Sequence, residues 1–157
     1  MPREILFKGL STKDKWVYGS LVITTHGIKH MPNTHTKTWI IETSFGNGGW
    51  FSIAKKQYVK PETVSEYTNL DDKENNKIFE NDIIFNYDDG KLYSVQMFKG
   101  CWLFVRLDDE NSYINADFYK KYALVIGNVY DKQTEEELLE KLSKLEYKNE
   151  CLVKLPY

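Results

Sequence analysis

Apolar and polar residues alternate with a period of two along most of the chain, the spacing of strands with one buried face. "REILFKGL" opens it, with Ile5 and Phe7 on one side. "WVYGSLVIT", Trp16 to Thr24, is rich in β-branched and aromatic residues and predicts a strand in which Gly19 marks a bulge. "TWIIETS" and "WFSIAKK" flank "FGNGG", and an Asn-Gly tip between two such runs is a strong hairpin signal. "DIIFNY", "KLYSVQMF" and "CWLFVRL" follow each other across "DDG" and "KG", which predicts a three-strand antiparallel meander. "ALVIGNVY" is a further strand, and "INADFYKKY" one or two helical turns.

The period changes after residue 131. Thr134 and Glu137 have the spacing of a capping box. Leu138, Leu142 and Leu145 recur at helical spacing with Leu139 beside them, which predicts an amphipathic helix of about four turns. "CLVKLPY" reads as an apolar tail. Many short strands joined by polar turns suggest a mainly β (β-rich α+β) chain, a small antiparallel barrel-like domain with short helical insertions and a C-terminal amphipathic helix. The expected division is a β-rich domain over 1–130 and a packing or oligomerisation element over 131–157.

One stretch breaks the pattern. "PETVSEYTNLDDKENNKIFENDIIF", from Pro61, contains no Gly, yet it turns at "TNL", "ENNK" and "FENDI". Such turns need φ > 0, and Asn is the best substitute for Gly there. Asn69, Asn76 and Asn81 are therefore the expected left-handed positions.

Composition agrees with a β-rich chain: aromatics reach 15%, and they favour strands. Among 157 residues there are 21 Lys plus Arg against 23 Asp plus Glu, a net charge of −2 with only two Arg, Arg3 and Arg106. That balance gives no bulk pull toward nucleic acid, and no specific DNA binding at physiological salt is expected. Cys101 and Cys151 match no metal spacing, no run of about 18 apolar residues occurs, and "MPREILFKGL" lacks the apolar stretch of a signal peptide, so no leader is expected. The expectation is a cytoplasmic protein with reduced thiols and no membrane association.

Four groups could carry chemistry, and each has a plainer reading. His26, His30 and His35 lie in a loop without a zinc-motif spacing. "FGNGGW" has the glycines of a phosphate cradle but no following Lys-Ser/Thr, and a hairpin tip explains it. Asp71, Asp72, Glu74, Glu80 and Asp82 match no calcium loop and read as solvated turns. Trp16, Trp39, Trp50 and Trp102 could stack bases, but a β core also needs aromatics. No catalytic residue, metal or cofactor is assigned.

The stretch from Pro61 resembles the signature of the YopX family of phage and prophage proteins. Pro61, Glu62, Thr63 and Val64 match its opening; Tyr67, Thr68 and Leu70 follow, with Asn69 in a glycine place. Asp72, Lys73 and Asn75 match the charged run, with Asn76 in the second glycine place. Ile78, Phe79, Glu80, Asp82 and Ile83 complete it, with Asn81 in the third. "REILFKGLSTKDKWVYGSLV" and "VIGNVYD" are similar to the family's flanking segments. The resemblance implies a β-rich fold and a phage or prophage origin, and no reaction. The expected role is a non-catalytic accessory protein that binds a host or phage protein, or a small ligand such as a nucleotide signal. A homo-oligomer assembled through Leu138, Leu139, Leu142 and Leu145 is expected, and a nucleic-acid-binding barrel is the alternative.

Overall fold

Eleven strands and two α-helices form in the computed structural model, which describes residues 2–26, 35–45 and 51–153. The chain divides between Asn69 and Leu70 into two compact units. The helix expected as a separate element after 131 belongs to the second.

In the first unit, β1 (Phe7–Leu10), β2 (Trp16–His26), β3 (His35–Phe45), β4 (Phe51–Tyr58) and β5 (Ser65–Asp71) pair in the order β4-β3-β2-β1-β5. The residues predicted as strands from Trp16 and Thr38 alternate as expected. Val17 and Ile40 point inward and bury with Val59 against Phe7 and Val64. Gly19 is not a bulge, since β2 runs through it without a register shift. It is instead a place of close approach: a Cβ there would lie 2.2 Å from the Ile41 carbonyl oxygen.

β5 runs on into the second unit, where its end forms a hairpin with β6 (Lys77–Phe79). There β7 (Asp82–Asn86), β8 (Lys91–Phe98), β9 (Cys101–Arg106), β10 (Tyr113–Asn115) and β11 (Ala123–Asn128) make a second antiparallel sheet, ordered β10-β9-β8-β7-β11. The β8–β9 turn is the predicted "KG", with Lys99 and Gly100 both at positive φ (47° and 81°), as a tight two-residue hairpin demands. One face of this sheet buries Ile84, Tyr93, Val95 and Phe104 with Ile78, Ala116 and Ala123. The other face carries Ile83, Leu92, Leu124 and Ile126. Between β10 and β11, Asn115 caps the short α1 (Ala116–Tyr119) by accepting a bond from the Phe118 N–H at 3.0 Å.

The long helix α2 (Glu135–Val153) opens with the predicted capping box: the Thr134 N–H donates to Glu137 Oε2 (2.8 Å) and the Glu137 N–H to Thr134 Oγ1 (3.2 Å). It is longer than predicted and takes in Cys151, Leu152 and Val153, read above as tail. Neither sheet closes on itself. The fold is β-rich α+β, and the expected barrel closure is replaced by two open antiparallel sheets.

Candidate functional site

Of the five acidic candidates, two, Asp72 and Asp82, are tied into turns. Asp72 is 5% exposed, and its Oδ1 accepts from the backbone N–H groups of Glu74 and Asn76, both at 2.9 Å. Its Oδ2 accepts from the Val125 N–H at 2.9 Å, which fastens the β5–β6 hairpin to β11. Asp82 is 1% exposed; it accepts from the Phe79 N–H (2.8 Å) and from Asn128 Nδ2 (3.0 Å). Asp71 and Glu74 face solvent. Both buried carboxylates thus spend their lone pairs on backbone and amide donors of the fold. Among the described residues no three His, Cys, Asp or Glu side chains come together as a metal group. His30 and the "FGNGGW" tip at 46–50 lie outside the described residues, as do the side chains of His26 and His35.

The left-handed turn positions are Asn69 (φ 62°), Asn75 (63°) and Asn81 (63°). Asn76, expected among them, is displaced by its neighbour for a geometric reason. Asp72 and Asn76 close a three-residue hairpin loop (Asn75 N–H to Asp72 O 3.0 Å, Asp72 N–H to Asn76 O 2.9 Å). In that loop a type I turn is followed by one left-handed residue, which is Asn75. Asn76 instead donates its side-chain amide to both Asp72 oxygens, at 3.2 and 3.1 Å. "STKDK" builds the same device: Ser11 Oγ accepts from the N–H groups of Lys13 (3.3 Å) and Lys15 (3.2 Å), and Asp14 is left-handed.

The leucines expected to drive assembly divide by face. Leu138 and Leu142 are buried at 1% and 6% on Ile83, Leu92, Leu124 and Ile126 of their own chain, and Leu145 packs beside them. Leu139 is 40% exposed. Gly127 lets the helix approach, since a Cβ there would be 2.9 Å from Leu138 Cδ2. Lys141 Nζ donates to the Ile126 carbonyl at 2.6 Å, where the β11 ladder shifts register. Leu138, Leu142 and Leu145 are therefore covered by their own sheet, and Leu139 alone of the four stays exposed.

Among the described residues, α2 packs on β11, β7 and Leu92 of β8. Residues paired across β8, β9 and β10 share a side, so Gln96, Leu103, Phe98, Val105 and Tyr113 lie on the same face as Leu92. With Met97 and Glu110 they line a groove of about 360 Å³. Phe98 is 56% and Tyr113 60% exposed, although both are large and apolar. Leu107 continues the Leu103–Val105 stripe, its N–H bonded to the Leu92 carbonyl. It leads to a second recess of about 140 Å³ lined by Leu92, Leu107, Asp108, Glu135 and Leu139, with Lys91. The rim is mainly acidic: Glu110 and Glu135 line the two recesses, and Arg106 is held by both oxygens of Asp108 (2.8 and 2.7 Å). That guanidinium keeps the Asp108 carboxyl below the usual carboxylate range. On the opposite face burial and a short hydrogen bond to Asp89 push the Tyr93 phenol up to about 12, so it stays a neutral donor. This groove had no signal in the sequence beyond the apolar outward positions of "QMF" and "CWLFVRL".

Strand order, signature turns and helix define a β-rich α+β protein built on two antiparallel sheets. The model of the family described as YopX protein matches residues 13–140, and the chain belongs to that family. No curated protein matches the chain.

Proposed function

We propose that this protein is a non-catalytic phage or prophage accessory protein that works by holding a segment of a host or phage partner protein in the β8–β9–β10 groove. The observation behind this reading is the half-covered sheet face. Its apolar residues continue past the edge of α2 into solvent, and contiguous exposed apolar surface of that kind marks interaction sites. The acidic rim complements a segment with apolar or aromatic side chains flanked by Lys or Arg. The buried carboxylates favour binding over catalysis, because every one of their described bonds goes to the fold.

A displayed peptide library tests this. The protein should enrich apolar segments with basic flanks, and Phe98→Ser with Tyr113→Ser should weaken the selected peptides by about tenfold or more, the loss of one or two buried aromatic contacts. Glu110→Lys with Glu135→Lys should weaken them further at low salt. Peptides that bind all these variants equally would remove the groove from the reading. If light scattering instead shows an oligomer that the Phe98 and Tyr113 variants dissolve, the occupant is a second copy of this chain.

A further inference from the structure

The first unit carries a surface of opposite character. Along β3, Thr38 and Ile40 turn inward, Ile40 fully buried, while Lys37, Trp39 and Ile41 take the other side. The register places Thr24 opposite Lys37, Val22 and Tyr58 opposite Trp39, and Lys56 opposite Ile41. Lys37, Trp39, Lys56 and Tyr58 therefore share one face of the sheet. Trp39 and Tyr58 stack, with ring planes 29° apart. Lys56 Nζ stands 4.0 Å from the centre of the Trp39 ring and Lys37 Nζ 5.6 Å from that of Tyr58. The indole N–H donates to Thr24 Oγ1 at 3.2 Å, which fixes the Trp39 ring on the sheet. Tyr58 is 43% exposed and both lysines are exposed.

Charge on this unit is also one-sided. Residues 1–69 hold nine Lys or Arg against five Asp or Glu, and residues 70–157 hold twelve against eighteen. The net −2 of the whole chain is the sum of a unit at +4 and one at −6. Two of the five carboxylates are already paired, Asp14 with Lys60 and Glu66 with Arg3. Glu42 alternates to the side of Ile40, opposite Lys55. No carboxylate stands at the registered positions around Trp39 and Tyr58.

We propose that this face binds single-stranded nucleic acid without sequence preference. A base stacks on the exposed Tyr58 ring, which half-buried Trp39 backs, and the adjoining phosphates meet Lys37 and Lys56. Stacking suits any base, because each has a π-face, and it requires unpaired bases. Only two Arg occur in the chain, and neither lies on this face, so the planar two-pronged guanidinium readout of guanine has no donor here. This inference is independent of the groove, which lies in the other unit.

Fluorescence anisotropy with a labelled oligothymidylate of about 15 nucleotides at about 50 mM salt tests it. The intact chain should bind at micromolar protein, and a duplex of equal length should bind more weakly. Two phosphate contacts on a single strand give a slope of about −1.4 in log affinity against log salt, so raising salt fourfold should weaken binding about sevenfold. Lys37→Glu with Lys56→Glu should weaken it at least tenfold, and Tyr58→Ala severalfold, each with an unchanged circular dichroism spectrum. Glu110→Lys with Glu135→Lys should not weaken it, which separates this face from the groove. The idea fails if no anisotropy change occurs at about 100 μM protein and low salt. It also fails if the double lysine variant binds like the parent, if duplex binds as well as single strand, or if anionic lipid vesicles bind in place of the oligonucleotide.

Discussion

The asparagines of the signature stretch are not equivalent, and their side chains decide how each would respond to glycine. Asn75 and Asn81 supply a left-handed backbone, and no described side-chain bond depends on either. Glycine relieves that strain, so Asn75→Gly and Asn81→Gly should be neutral or slightly stabilising in urea unfolding. Asn69 is also left-handed, but its amide bridges both backbone groups of Glu4, accepting at 2.9 Å and donating at 3.0 Å. Asn76 gives its amide to Asp72. Asn69→Gly and Asn76→Gly should therefore each cost on the order of 1 kcal/mol, the net value of the lost hydrogen bonds. Equal responses at Asn75 and Asn76 would contradict the turn geometry. The turns themselves were legible in the sequence, because only a few residue types tolerate φ > 0. Which of two adjacent asparagines adopts it was not, because that follows from the register of the β5–β6 hairpin. The burial of Asp72 and Asp82 was equally hidden, since one donor to each comes from β11, about 50 positions away.

At the scale of elements, periodicity located the long strands and the helix, and it failed where a strand is polar or short. β5 was read as turns because Ser65, Glu66, Thr68 and Asn69 break the apolar alternation, yet Ser65 and Thr68 are buried. β10 is only three residues long and carries no pattern. The helix was found from its cap and its stripe, but the stripe alone could not say which surface covers it. The answer is the sheet face of its own unit, and this has a direct consequence. Leu138→Ala should cost about 2–5 kcal/mol, as for other fully buried leucines, while Leu139→Ala should fall within about 0.5 kcal/mol of the parent. Leu142→Asp should unfold the second unit without first changing the mass measured by light scattering. A folded variant with an altered assembly state would return the stripe to an intermolecular role.

For the whole molecule, the division at Asn69–Leu70 left no linker to read, since it falls inside β5 rather than in a run rich in Gly, Pro or Ser. The total charge concealed it as well, because the two units differ in sign. The units also differ in how their described apolar residues cluster. Among the described residues, the second holds two core clusters, one on each face of its sheet, and the first holds one built on Val17, Ile40 and Val59. Local opening follows the amount of apolar contact that must be lost. Native-state hydrogen exchange should therefore show the slowest amides in β7, β8 and β9, with β2 and β3 opening at lower free energy. Ile40→Ala should speed exchange in residues 2–69 and leave β7 to β9 nearly unchanged, and Ile84→Ala should act mainly on residues 70–153. If every strand instead exchanges through one shared opening, and both substitutions shift all amides alike, the two cores form a single cooperative unit and the division of labour between a basic face and an acidic groove loses its structural basis.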